Sequence, residues 1–256
     1  MSEISSAQAE RLRQVYQRCV EKMKEVVCEL NVTQDELHVA GDYLNRLGKA
    51  GFCRSLVDMN LALTSANITR PSVGTRANLE GPLHRKGHPS RPNGDIKERA
   101  PGPTEQPLVL SGRVLDARSG APLPGVKLDF WQTDGEGQYD RDGNHMRGII
   151  TTDADGRYVL KTVVPKDYSE HDHDPIGELL RAMGRPNRRA GHIHVKALIG
   201  DSEVLTTQLF VSGSDYLKLD YVEGAVTEDL TIDVKPAGDR AYTASFDFQL
   251  DTALAR

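Results

Sequence analysis

The sequence predicts a mainly β chain, a β-sandwich with an N-terminal α-helical domain, and three observations carry that prediction. Over the first sixty-odd positions apolar residues recur at steps of three and four, the helical period. From Leu108 onward they alternate at period two, in short runs separated by Gly, Pro and Asp. Between these regions, from Arg70 to Gln106, the texture is Pro, Gly, Arg and Asn with little periodicity. The expected organisation is a helical domain over 1–70, a connecting wrap over 71–107 and a sandwich over 108–256.

In the helical region, Leu12, Val15, Tyr16, Cys19, Met23, Val26, Val27 and Leu30 mark one amphipathic helix. Thr33 and Glu36 read as a capping box opening a second, with Leu37, Val39, Ala40, Tyr43, Leu44 and Leu47 as its apolar face and Gly48 as its stop. A third helix is expected from Phe52 to Leu63. Such a bundle suits an oligomerisation element or a covering layer for the sheet. The segment Leu79-Glu80-Gly81-Pro82-Leu83 is too apolar for a free linker, so an ordered wrap is expected.

Strands are expected at Leu108–Leu115, Val126–Gln132, Gly148–Thr152, Tyr158–Val164, the run after His192, Glu203–Val211, Leu230–Val234 and Tyr242–Leu250. Asp134-Gly135 and Asp153-Ala154-Asp155-Gly156 supply turn chemistry between them. Many short strands with regular turns indicate a sandwich.

With 256 residues, 27% charged and 38% hydrophobic, the composition is that of an ordinary globular protein. A net charge of −5 gives no reason to expect nucleic acid as a partner. No run approaches the roughly 20 apolar residues of a membrane helix, and no secretory h-region is visible, so no membrane insertion and a cytoplasmic location are expected. Three cysteines without CxxC spacing argue against a disulfide framework and against a thiolate metal site.

The chemistry centres on Arg189-Ala190-Gly191-His192-Ile193-His194-Val195. His-x-His on a strand puts both imidazoles on one face, about 7 Å apart along the backbone, within reach of one metal ion. Two imidazoles leave room for anionic oxygen ligands. Tyr139 and Tyr168, at strand ends beside loops, are candidates, although spacing alone does not choose them over Tyr158, Tyr216 or Tyr221. The run His171-Asp172-His173-Asp174 competes as a metal site, but no apolar residues frame it and it reads as a solvated loop.

A longer series makes the pattern specific. It comprises Gly81-Pro82, Gly112-x-Val114, Pro124-Gly125-x-x-Leu128-Asp129-x-Trp131-Gln132, Gly137-x-Tyr139-Asp140, Thr152-Asp153-x-x-Gly156-x-Tyr158, Pro165-x-x-Tyr168, and Gly184-Arg185 followed by Arg189-x-x-His192-x-His194. In this order it resembles the intradiol ring-cleavage dioxygenases, in particular the catechol and hydroxyquinol 1,2-dioxygenase branch. The similarity covers roughly 50–235.

The resemblance implies a catalytic sandwich holding a non-haem Fe(III) on Tyr139, Tyr168, His192 and His194. It implies a small aromatic diol and O2 as substrates, with cleavage between the two hydroxylated carbons to a cis,cis-muconate. Tyr168 matches the ligand that substrate displaces. Arg189 would offer a fixed cation to the ring, and Gln208 matches a position beside the iron. Leu79, Gly81, Pro82, Leu83, Tyr221 and Val222, with Leu56, match the substrate wall. The helical domain matches a homodimer contact, in some members with bound lipid. The chain departs from the family at Ser169-Glu170-His171, where small or apolar residues and a proline are common, and at His84, where an aromatic is common. Glu170 and His171 therefore join the expected substrate-binding set, and a polar ring substituent is expected.

Two other readings stand beside this one. Gly112-x-Val114 and Thr152-Asp153-x-x-Gly156-x-Tyr158 also resemble transthyretin-like binding modules, which lack the Tyr, Tyr, His-x-His set. A zinc hydrolase using His192, His194 and a carboxylate from 171–174 lacks a nucleophile motif.

Overall fold

A computed structural model describes residues 5–69 and 73–255; the expected start of the wrap, 70–72, lies outside them. The chain divides into two compact units, 1–53 and 54–256.

The first unit holds α1 (Ser6–Glu29) and α2 (Gln34–Ala50). Ser5 and Gln8 form a capping box on α1, and Thr33 and Glu36 form the expected one on α2. The stop of α2 is Gly51 rather than Gly48. Gly51 adopts the left-handed φ of 81°, and Phe52 N then donates to Leu47 O at 3.0 Å. Gly48 has no such conformation, so the helix runs through it. Along α1 no residue is buried, and Leu12, Tyr16 and Met23 stand exposed.

The expected third helix is broken into α3 (Cys53–Val57), a π-helical turn (Asp58–Ala62) and α4 (Leu63–Thr69). The wider turn rotates the apolar face, burying Met59 while Val57 and Leu61 face solvent. Among the described residues no helix is long and apolar enough to cross a membrane.

Two sheets make the sandwich. One has the order β3 (Arg147–Thr151), β2 (Lys127–Gln132), β5 (His192–Ile199), β6 (Ser202–Val211) and β7 (Thr231–Ile232). In the other, β1 (Pro107–Asp116) pairs antiparallel with β4 (Arg157–Val163). It also pairs parallel with β9 (Tyr242–Ser245) and β10 (Phe248–Leu250), while β8 (Lys235–Pro236) borders β9. Phe130 on β2 meets Tyr158 on β4 at 5.9 Å, and Tyr158 meets Phe248 at 5.6 Å, so these rings join the layers.

Two expected strands are interrupted. The run 230–234 yields only β7, and 242–250 is split at Phe246-Asp247. There the Asp247 carboxylate accepts from Arg113 N at 2.8 Å, replacing a ladder bond with a side-chain bond. Strand β2 also differs from simple alternation: Leu128 through Gln132 are all buried, because residues 78–96 lie over the sheet's outer face. A helix absent from the expectation, α5 (Pro175–Ala182), follows 171–174.

At Gly112 the backbone of another segment passes so close that a Cβ would stand 1.8 Å from Phe246 O. Gly112→Ala should lower unfolding free energy by about 1–3 kcal/mol through overpacking. Gly41→Ala, in α2 with nothing within 4 Å of the added carbon, should raise helix stability by about 1 kcal/mol. Chemical denaturation followed by far-UV circular dichroism reads both, and equal signs would contradict this packing.

Candidate functional site

The registers of β3, β2, β5 and β6 align Arg147, Trp131, His194 and Gln208 in one cross-strand row. The neighbouring row holds Ile149, Asp129, Lys196 and Thr206. These rows form the outer face of the sheet, away from the inter-sheet core, and the chain over 78–91 closes it. Asn78 N donates to Thr206 O, Gln208 Nε2 donates to Leu79 O at 2.8 Å, and Arg147 Nη1 donates to Leu83 O at 2.9 Å. Gly81, at φ 71°, lies so close that a Cβ would meet His194 Cε1 at 3.4 Å.

His192 and His194 are both almost fully buried. His192 Nδ1 donates to Ala190 O at 2.7 Å, which leaves its Nε2 with a lone pair. That nitrogen stands 3.0 Å from His194 Nε2, which is 3.1 Å from the Tyr139 hydroxyl. Burial drives both imidazoles well below the ordinary histidine range, with Arg189 adding to it, so both are neutral.

Tyr168 reaches this group because it bridges Arg189: Tyr168 N donates to Arg189 O, and Arg189 N donates to Tyr168 O at 2.8 Å. Its ring stands edge-on to Tyr139 at 5.3 Å and 5.6 Å from His192. The two tyrosine hydroxyls share a hydrogen bond. Burial raises both phenols above their ordinary range. Two imidazole Nε2 atoms and two phenol oxygens thus converge on one buried point. A cation with nitrogen and oxygen affinity fits that donor set.

Arg189 is buried beside it. Nε donates to both Asp220 oxygens at 3.1 and 3.2 Å, and Nη2 donates to Gln208 Oε1 at 2.9 Å. Burial alone would lower its pKa, but Asp220 and the neighbouring tyrosines hold it above the ordinary arginine value, so it stays charged. Asp220 also accepts from Ala190 N and Val222 N. Sequence reasoning missed Asp220, whose partner is distant in the chain.

Of the expected wall, Leu79, Gly81 and Leu83 lie on the closing segment, with Pro82 exposed, while Tyr221 and Val222 are buried. Leu56 is half-buried on α3. The solvated loop expected at 171–174 is corrected by the structure. His171 is buried edge-on to Tyr221 at 5.5 Å and bonded to Asp174 at 2.7 Å, while Asp174 caps α5 through Gly177 N. Asp172 and His173 alone face solvent. Glu170 is half-buried and, among the described residues, its carboxyl has neither hydrogen bond nor ion pair. Burial raises its pKa despite Arg189, His171 and Arg141 nearby.

A second group, also missed, lies along the same face. His84 Nε2 is 3.2 Å from Asp129 Oδ2, and His88 Nδ1 is 2.5 Å from Asp129 Oδ1. The available signal was a carboxylate two residues before Trp131 on a strand whose other face is apolar.

A family model described as "Dioxygenase" matches residues 79–252, and one described as "Catechol dioxygenase N terminus" matches 9–55. The chain belongs to the intradiol ring-cleavage dioxygenase family. A 6-chlorohydroxyquinol 1,2-dioxygenase of Cupriavidus pinatubonensis is 30% identical over 95% of this chain and 92% of its own length. A hydroxyquinol 1,2-dioxygenase of a Rhizobium species is 30% identical over 90% and 81%. Among solved structures, the 3-chlorocatechol 1,2-dioxygenase of Rhodococcus opacus superposes with a TM-score of 0.86 at 25% identity, covering 94% of this chain and 98% of that one. The chain is thus an intradiol dioxygenase, and the family implies a non-haem iron.

Because the Arg189–Asp220 pair is buried on both sides, Asp220→Ala should lower unfolding free energy by about 3–5 kcal/mol by stranding a charge. Replacing Arg189 with Met in the same chain should restore much of it. Denaturant titration of the single and double variants checks this, and a double variant as unstable as the single would refute the pairing.

Proposed function

We propose that this intradiol dioxygenase holds Fe(III) on Tyr139, Tyr168, His192 and His194 and cleaves a catechol-type ring with O2 between its two hydroxylated carbons, giving a cis,cis-muconate. The observation that carries the reading is the meeting of His192 Nε2, His194 Nε2 and the Tyr139 hydroxyl at 3.0 and 3.1 Å in a buried setting, with Tyr168 against them. When bound, the ferric ion supplies a Lewis acid that draws electron density from the diol ring and opens it to O2 at carbon.

The chain's own groups do the rest. Burial excludes water from the four rings and strengthens every charge among them. Tyr168 would be the iron-holding phenol that makes room for the substrate, and its oxygen would be placed to accept a diol proton. Arg189, fixed by Asp220 and Gln208, presents a permanent cation to charge developing on the ring. Glu170 supplies an acceptor with no partner of its own, and we assign it a hydroxyl on the ring beyond the diol pair. The two relatives that act on hydroxyquinols support this class of substrate. The exposed apolar side chains of α1, Leu12, Tyr16 and Met23, suit a homodimer contact.

Tyrosinate bound to ferric iron absorbs in the visible. The iron-loaded protein should be coloured, its band weakened or shifted in Tyr139→Phe and Tyr168→Phe and lost when both are changed. A protein that stays colourless after reconstitution with ferric iron would overturn the reading. For the substrate, Glu170→Ile should reduce the preference for hydroxyquinol over catechol in kcat/KM by about tenfold or more, the effect of one hydrogen bond to a charged group. An unchanged preference would remove Glu170 from the recognition of substrate.

A further inference from the structure

If His194 is an iron ligand, as read above, the structure leaves its orientation to an unusual anchor. A ligating histidine ordinarily donates its second ring nitrogen to an acceptor, which fixes the ring. His192 does so through Ala190 O. His194 does not: its Nδ1 is buried with no hydrogen-bond partner. What holds the ring is Trp131, its cross-strand partner on β2, whose indole lies parallel to it at 4.6 Å and 7°. Trp131 has no polar anchor either, since its Nε1 is likewise buried and unpartnered. Trp131 also meets His84 edge-on at 4.6 Å, and His84 meets His88 at 5.3 Å. The polar anchorage lies at Asp129, where one carboxylate oxygen takes His84 and the other takes His88, with Glu80 3.7 Å from the other nitrogen of His84.

The same three residues have the composition of a metal site, but their protons argue otherwise. Arg147 Nη1 stands 3.3 Å from His88 Nε2 and can only donate. His88 Nε2 is therefore the acceptor and Nδ1 carries the hydrogen that Asp129 receives. A cation on Nδ1 would turn two N–H groups against each other, because Arg147 is held in place by Asp140 O and Leu83 O. The cluster is a clamp.

We propose that Asp129, gripped by His84 and His88, is a positioning residue for the His194 imidazole, acting through the ring contacts His84–Trp131–His194. The alternative is that these residues serve stability alone.

Ferric-ion uptake by the metal-free protein, read from the charge-transfer band against a competing chelator, separates the two. Asp129→Asn and His84→Ala should each weaken ferric binding by the folded protein about 10- to 100-fold, the range seen when outer-shell partners are lost. Leu160→Ala, a core change on β4, should lower the melting temperature without that loss. In a Trp131→Leu background His84→Ala should weaken binding no further. The proposal is overturned if His84→Ala binds ferric ion as tightly as Leu160→Ala does, or if its effect is the same with and without Trp131. It also falls if the wild type binds a second equivalent of zinc that Asp129→Asn cannot. A wild-type protein that takes up no ferric ion would remove the iron reading itself, and this inference with it.

Discussion

A polar sheet face closed over by irregular chain is the constraint on which the rest of this structure depends. Arg147, Asp129, Lys196, His192, His194 and Gln208 stand on the outer face of one sheet of the sandwich, and a buried polar group without a partner is costly. The segment over 78–91 meets that demand with main-chain carbonyls at Leu79 and Leu83 and with side chains at Glu80, His84 and His88. Because nearly every group on the face is paired, the few that are not stand out. Among the described residues they include His194 Nδ1 and Trp131 Nε1, beside the point where the His192 and His194 Nε2 atoms face each other at 3.0 Å.

Much of this was legible in the sequence wherever the cause is local. Period-two alternation, the Thr33–Glu36 cap and the shared face of His192 and His194 depend on residues within a turn or a strand of one another. What was not legible depends on distance. Nothing near Arg189 announces Asp220, and nothing in the β2 run says that Asp129 faces a covering segment rather than water. The stretch 171–174 misled because its charges look solvated until Asp174 is seen capping α5 and His171 packing on Tyr221. Gly48 and Gly51 are equally plausible stops by residue type, and only the hydrogen bond from Phe52 to Leu47 separates them.

His192 and His194 illustrate two ways of fixing a ring. His192 is oriented by a directional bond to Ala190 O, whereas His194 is oriented by flat contact with an indole. A hydrogen bond sets both tautomer and angle; a stack sets the plane and leaves the ring electronically less perturbed. The asymmetry leaves the two Nε2 atoms in different settings although they come from the same strand.

The pairing of β1 with β9 and β10 has a consequence for how the chain is made. These parallel partners lie more than a hundred residues beyond β1 and so leave the ribosome well after it. The sheet that carries the histidines is built mainly from antiparallel neighbours closer in sequence, with β5 and β6 joined by a tight turn. Order of synthesis therefore lets β1 pair with β4, and the strands of the histidine sheet meet, before β9 and β10 complete the opposing layer through long-range contacts of the kind that slow folding. A polypeptide stalled or cut short before Phe248 would keep β1 paired with β4 and β9 but would leave the end of β1, from Val114 to Asp116, without its β10 partner.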